Sequence, residues 1–217
     1  FSPGKHAENE RVSTRKAWIK NSGYAFIRNE CPFQHRVITA SGAHAQGVPG
    51  LFDVEVIRDG QVCARAGALN DVVVSSGTSA QMIEFDLRVD GAYVYRQRAD
   101  GMIVSTPTGS TAYSLSGGGP IMHPSLDAIL LLPMYPHTLS SRPIVIDGNS
   151  DVRIGIAPEN EESLPVTCDG QDKLNVSGGD VVRIVKKEDR LYLIHPEGHD
   201  FYASCRDKLR WGSSLVH

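Results

Sequence analysis

Apolar and polar positions alternate along this chain in short bursts, and turn residues separate the bursts. Residues 53–58 alternate with Val54, Val56 and Arg58 on one side. Asp59-Gly60 follows, a two-residue hairpin signal because this dipeptide accepts the backbone that a tight turn needs, and residues 61–64 read as the returning strand. The arrangement recurs in residues 82–89, which alternate around Ile83, Phe85, Leu87 and Val89 before Asp90-Gly91 turns the chain into 92–98. Residues 71–74 are a β-branched run, and 102–105, 129–132, 143–146, 152–156, 165–168, 181–186 and 191–195 read as further strands. Residues 111–116 start a short helix and 202–209 form a short terminal one. Many short strands at regular spacing predict a mainly β fold, an antiparallel multi-strand β-sandwich, in preference to a wound parallel sheet. There is no internal repeat.

Residues 1–50 break the pattern. They open on a polar, charged stretch and end in a segment rich in Gly, Ala and His, with little clean periodicity between. They are expected to be an atypical or poorly structured N-terminal segment ahead of a β-sandwich domain spanning 51–217. The chain starts on Phe1, which fits a fragment or a processed product.

Composition narrows the partners. A formal net charge of -3 gives no general attraction to nucleic acid or anionic lipid. The longest apolar run, residues 128–134, is too short to span a bilayer, and residues 1–15 do not read as a secretory signal. Cysteines at 31, 63, 168 and 205 lack any CxxC spacing, which points to reduced thiols in a cytoplasmic protein. His195 and His199 have a four-residue spacing, but Pro196 and Gly198 keep them off one helix face, so a turn with two solvated imidazoles is expected rather than a metal site.

Chemistry concentrates in the run Asp100-Gly-Met-Ile-Val-Ser-Thr-Pro-Thr-Gly-Ser-Thr-Ala-Tyr-Ser-Leu-Ser-Gly-Gly-Gly-Pro120. Small residues let backbone amides approach a ligand closely, and hydroxyls offer donors and acceptors to sugar or phosphate oxygens. Asp100 can accept from ribose hydroxyls or an amide, and Tyr113 offers a flat aromatic face. Composition alone favours a Ser/Thr/Gly-rich surface loop. No GxxxxGK[ST], GxGxxG or GxSxG spacing is present.

The same run closely resembles the signature of the bacterial and archaeal NAD kinases. The resemblance extends upstream through Ala68-Leu-Asn-Asp-Val-Val-Val74, Met82-Ile-Glu-Phe85 and Gln97-Arg98-Ala99-Asp100. Downstream it runs through His123-Pro-Ser-Leu-Asp-Ala-Ile129, Pro133-Met-Tyr-Pro-His-Thr-Leu-Ser-Ser-Arg-Pro143 and Cys168-Asp-Gly-Gln171. The resemblance implies ATP-dependent phosphorylation of the adenosine ribose 2′-hydroxyl of NAD to give NADP, with a divalent metal cation such as Mg2+. It also implies a homodimer or homotetramer, with neither nucleic acid nor membrane as partner. By the same resemblance Asn70 and Asp71 contact the adenosine side, with Asp71 standing where Glu is also common. Asp100 holds the nicotinamide end, and Arg98 goes with a preference for oxidised NAD. Thr111, Ala112, Tyr113, Ser114, Leu115 and Ser116 form the core nucleotide-binding segment, and Gln81 and Gln171 are peripheral contacts. The family's Gly-Gly-Asp-Gly motif, whose Asp activates the 2′-hydroxyl, is absent. Gly178-Gly179-Asp180 is a lookalike expected to be a hairpin turn. The resemblance therefore implies an NAD-binding part with little kinase activity alone. The alternatives are a non-catalytic nucleotide-binding module or a lipid kinase of the related diacylglycerol kinase type.

Overall fold

Alternation decides which face of each strand turns inward. In β4 (Phe52–Arg58) the side chains of Phe52, Val54 and Val56 are buried and those between them are only partly covered; in β7 (Ile83–Val89) Ile83, Phe85 and Leu87 behave the same way. A period of two puts every second side chain on one face, so such strands can line only one side of a core. The computed structural model describes residues 18–20, 24–27, 44–48, 50–77, 81–138, 140–160, 162–188, 191–195 and 199–211.

The remaining strands of the sandwich are β5 (Gln61–Ala68), β6 (Asp71–Ser75), β8 (Ala92–Ala99), β9 (Gly101–Ser105), β10 (Ala128–Met134), β11 (Ile144–Asp147), β12 (Val152–Ile156), β13 (Leu164–Cys168), β14 (Asp172–Val176) and β15 (Val181–Lys186). They form two six-stranded antiparallel sheets. The first has the order β5-β4-β15-β12-β7-β8, the second β11-β10-β9-β6-β13-β14. The β-sandwich expected from the sequence is present. Its core joins Phe52, Phe85, Leu87, Ile154 and Ile184 of the first sheet to Val72, Val74, Met102, Val104, Leu131 and Val166 of the second.

The second sheet differs in one respect. Its central strands β6, β9 and β10 are buried on both faces, and Val73, Ile103, Leu130 and Leu132 form a second apolar cluster with Met122 on the outer side. A strand covered on both sides reads as an unbroken apolar run, as the sequences DVVVS, GMIVS and AILLLPM do.

Outside the sandwich, β1 (Trp18–Lys20), β2 (Tyr24–Ile27) and β3 (His44–Val48) come from the stretch expected to be poorly structured. They join β16 (Leu191–His195) in a four-stranded sheet ordered β1-β2-β16-β3. Two helices complete the set: α1 (Tyr113–Ser116) and the terminal α2 (Phe201–Leu209), whose N-cap Asp200 accepts from the Tyr202 N–H.

Three hairpins turn on Asp-Gly. Asp59, Asp90 and Asp169 have φ of 50°, 52° and 51°, and the glycines that follow have 75°, 80° and 67°. Two successive positive φ values match the right-handed twist of the flanking strands. The third of these turns, with the strand β14 behind it, was not anticipated from the sequence.

Candidate nucleotide site

The site begins where β6 begins. The Asp169 carboxylate accepts from three successive backbone N–H groups, those of Leu69 at 2.8 Å, Asn70 at 2.7 Å and Asp71 at 3.2 Å. The Asp169 N–H donates back to the Asp71 carbonyl at 3.0 Å. The β13–β14 turn is thus stapled to the three residues entering β6.

The Ser/Thr/Gly-rich run holds the other edge of those residues. The Thr106 hydroxyl donates to the Leu69 carbonyl at 2.7 Å, and the Thr106 N–H donates to the Asn70 carbonyl at 2.9 Å. The Ser105 hydroxyl also reaches the Asn70 carbonyl, at 3.2 Å. Gly109 lies so close that a Cβ there would overlap the Asn70 carbonyl, which explains the glycine. The chain then passes through a 3-10 turn (Gly109–Thr111) into α1. The Ser114 hydroxyl donates to the Gly109 carbonyl at 3.1 Å, and Ser110 Oγ donates to the Pro107 carbonyl and accepts from the Met122 N–H.

Most hydroxyls in the run are therefore spent on its own architecture. Ser105, Thr106, Ser110 and Ser114 are all buried. Ser114, expected among the ligand contacts, shapes the loop. Thr111, Tyr113 and Ser116 remain exposed to solvent, Ala112 and Leu115 are partly covered, and Tyr113 is 48% exposed.

Asp71 is 4% exposed. Burial pushes its carboxyl up to about 6, the negative charge of Asp169 adds to the rise, and the Tyr113 N–H, donating to the carboxylate, opposes it. A carboxyl so placed carries its charge above about pH 6, where each hydrogen bond it accepts offsets part of the cost of its burial.

The predicted site residues fall into two groups. Asn70, Asp71, the 111–116 segment and Gln171, which sits in the Asp169 turn, gather at one end of the β6–β9 ladder, where Asp71 is opposite Ser105. Asp100 lies beyond the other end, where Ser75 is opposite Gly101; its N–H donates to the Met134 carbonyl at 3.0 Å. At ~3.4 Å per residue the two ends are about 14 Å apart. Arg98 is exposed on β8, its carbonyl accepting from the His137 N–H, and Gln81 leads into β7 on the same side. Between the ends runs an open groove of about 330 Å³ on the outer side of the second sheet, lined by Ile103, Tyr113, Ser116, Met134, Tyr135 and Arg142 among others.

A divalent cation does not find a cage in this arrangement. Among the described residues no three metal-binding side chains converge, and the Asp169 oxygens already accept three N–H groups. The lookalike Gly178-Gly179-Asp180 forms the turn between β14 and β15. Asp180 accepts from Arg58 at 2.9 and 2.7 Å, and this pairing holds its carboxyl below the usual carboxylate range. The pair His195 and His199 corrects one expectation: the rings stack at 4.0 Å, and His195 is buried rather than solvated. It lies at the end of β16 in the four-stranded sheet, opposite His44 of β3. Cys63 and Cys205 are free thiols, Cys168 is buried in the core, and Cys31 lies outside the described residues. Among the described residues no helix is long and apolar enough to cross a membrane.

Sequence and fold comparisons place the chain in a family. Residues 69–196 match the family model described as the ATP-NAD kinase C-terminal domain. The NAD kinase of Teredinibacter turnerae is 57% identical over 163 residues, covering 75% of this chain and 56% of that protein. The NAD kinase of Marinobacter nauticus is 57% identical over 166 residues, covering 76% and 56%. The chain thus spans little more than half the length of these relatives. Among solved structures, yeast NADH kinase complexed with NADH superposes with a TM-score of 0.71 at 26% identity, covering 77% of this chain and 51% of that one. An NAD kinase from Archaeoglobus fulgidus in complex with ATP gives 0.60 at 29% identity, covering 76% and 60%. The chain belongs to the ATP-NAD kinase family, whose C-terminal domain it carries.

Proposed function

We propose that this chain binds NAD and forms the NAD-holding part of an enzyme that phosphorylates the adenosine ribose 2′-hydroxyl with ATP to give NADP. The observation that carries the reading is the Asn70–Asp71 pair, whose N–H groups are held by Asp169 and whose adjoining carbonyls are held by Ser105 and Thr106. An amide and a carboxylate so fixed can donate to and accept from neighbouring ribose hydroxyls. Tyr113, beside Asp71 and open to the groove, supplies a face for a ring.

Phosphoryl transfer is governed by positioning and charge stabilisation. In this reading Asn70 and Asp71 orient the ribose. A divalent cation such as Mg2+ would accompany the ATP phosphates and offset part of their charge. The family's Gly-Gly-Asp-Gly aspartate has no counterpart in the sequence, so the chain by itself is expected to bind without measurable turnover. The second reading is a nucleotide-binding module without catalysis. A homodimer or homotetramer belongs to the same reading through the family resemblance alone. A cytoplasmic setting accords with the free thiols of Cys63 and Cys205.

Calorimetric titration of NAD into the purified chain tests the reading, with Asn70→Ala and Asp71→Ala beside it. Saturable binding that both substitutions weaken at least tenfold is expected. Equal binding by all three proteins, or none by the unsubstituted chain, overturns it.

A further inference from the structure

Asp169 has been assigned no part in the chemistry of this site, yet its surroundings are unusual for a turn residue. The fold contains two other Asp-Gly turns with the same backbone. Asp59 is exposed, and Asp90 staples only one N–H, that of Asp151 at 2.8 Å. Turn formation therefore does not require the three-fold clamp that Asp169 makes. A carboxylate offers about four lone-pair directions, and three N–H groups at 2.7–3.2 Å occupy most of them. That leaves Asp169 unsuited to receive a ligand directly. Its effect must pass through the residues it holds.

Two of those residues, Asn70 and Asp71, meet the ribose in the reading above, on which this inference rests. Leu69, Asn70 and Asp71 are gripped from both sides. Their N–H groups turn to Asp169, and the carbonyls of Leu69 and Asn70 turn to Thr106 and Ser105. With both edges of these peptide units fixed, the directions of the Asn70 and Asp71 side chains are set before a ligand arrives, and preorganisation of this kind lowers the ordering cost of binding. We propose that Asp169 is a positioning residue of the nucleotide site, whose carboxylate locks the Asn70–Asp71 peptide units and thereby aims both side chains at the ribose hydroxyls. Its charge also acts on Asp71 across a short gap, alongside burial and the Tyr113 N–H.

Asp169→Asn tests this. Asparagine suits the positive φ and matches the size of the aspartate, so the turn is kept. Its NH2 must face either the Leu69 N–H or the N–H groups of Asn70 and Asp71, so the clamp cannot be made in full. Three readouts are expected to move together. NAD affinity at pH 7.5 falls at least tenfold. Amide exchange at residues 69–71 accelerates while that at 72–74 is retained. The carboxyl titration of Asp71, followed by NMR without ligand, moves to lower pH because the neighbouring negative charge is gone. Unchanged exchange at 69–71, or unchanged affinity with an unmoved Asp71 titration, overturns the assignment. Should Asp169→Asn lower protection throughout the sheet, Asp169→Gly, which also suits positive φ, carries the same test. Failure of the NAD reading is seen separately, as absence of uptake by the unsubstituted chain. Exchange and titration, which need no ligand, still decide the clamp in that case.

Discussion

The two outer faces of the sandwich are built from strands of the same kind and have opposite surfaces. On the first sheet, charges run in a line across four strands. Arg65 meets Glu55 at 3.0 Å, Glu55 meets Arg183 at 3.2 Å, Arg183 meets Asp151 at 2.8 Å, and Asp151 meets Arg153 at 3.0 Å. On the second, Val73, Ile103, Leu130 and Leu132 form an apolar patch, with Met122 folded onto it from the loop that follows the nucleotide run. The charged face needs no cover. The apolar face must be covered, and the segment from 105 to 122 does so while holding Asn70. The functional loop is placed by the hydrophobicity of the strands beneath it, so function and burial share one cause on this face and are unconnected on the other.

Substitutions sharpen that contrast. The largest effect is expected from Ile103→Ala, which empties a fully buried position under the loop and should lower unfolding free energy by about 3–4 kcal/mol in denaturant titration. A loss below about 1 kcal/mol would mean that the outer cluster is not a core. Gly109→Ala comes next. Its methyl would press on the Asn70 carbonyl, costing about 1–3 kcal/mol and weakening NAD binding more than any change on the charged face. Normal NAD affinity in this variant would detach the loop from the site.

Asp71→Asn should act in the opposite direction on stability. The carboxyl binds its proton more tightly folded than unfolded, so it favours the folded state below about pH 4, and that contribution is lost as pH rises through about 6. At pH 7.5 the substitution is expected to stabilise by on the order of 2 kcal/mol, with the gain disappearing below about pH 4 as NAD binding is lost at all pH values. A destabilised Asp71→Asn at neutral pH would show that the ionised carboxylate is already satisfied by the protein. The smallest change is Arg183→Ala on the charged face, expected to cost less than about 1 kcal/mol, and less again in high salt.

Much of this could be read from the residues. Alternation at 53–58 and 82–89 and the Asp-Gly turns gave hairpins in the right places, because a half-buried strand advertises its period. The unbroken apolar runs of β6, β9 and β10 also carried a message, that this sheet is covered on both sides and bears the loop. The terse strand β14 was missed because DKLNV has only two apolar residues, and its existence follows from the Asp169-Gly170 turn rather than from its own pattern. The Asp169-Gly170 dipeptide repeats that of the other two turns, but the clamp could not be read, since it depends on residues brought together across the fold. The two-group division of the site was likewise hidden. Arg98 and Asp100 are close to the nucleotide run in sequence, and only the β6–β9 register shows that a strand's length separates them from Asp71.

The Asp169 clamp has a consequence for how the molecule comes into being. It joins residues 98 to 100 positions apart, and the first sheet closes only when Lys186 pairs with Phe52. Contacts so remote in the chain are slow to form, because the entropy of closing a long loop comes due before any contact rewards it. A ribosome that has delivered β6 and the whole nucleotide run has still not delivered a site. The strands wait with their apolar faces open until the third Asp-Gly turn emerges, and it is in this interval that a chaperone would find the most to hold.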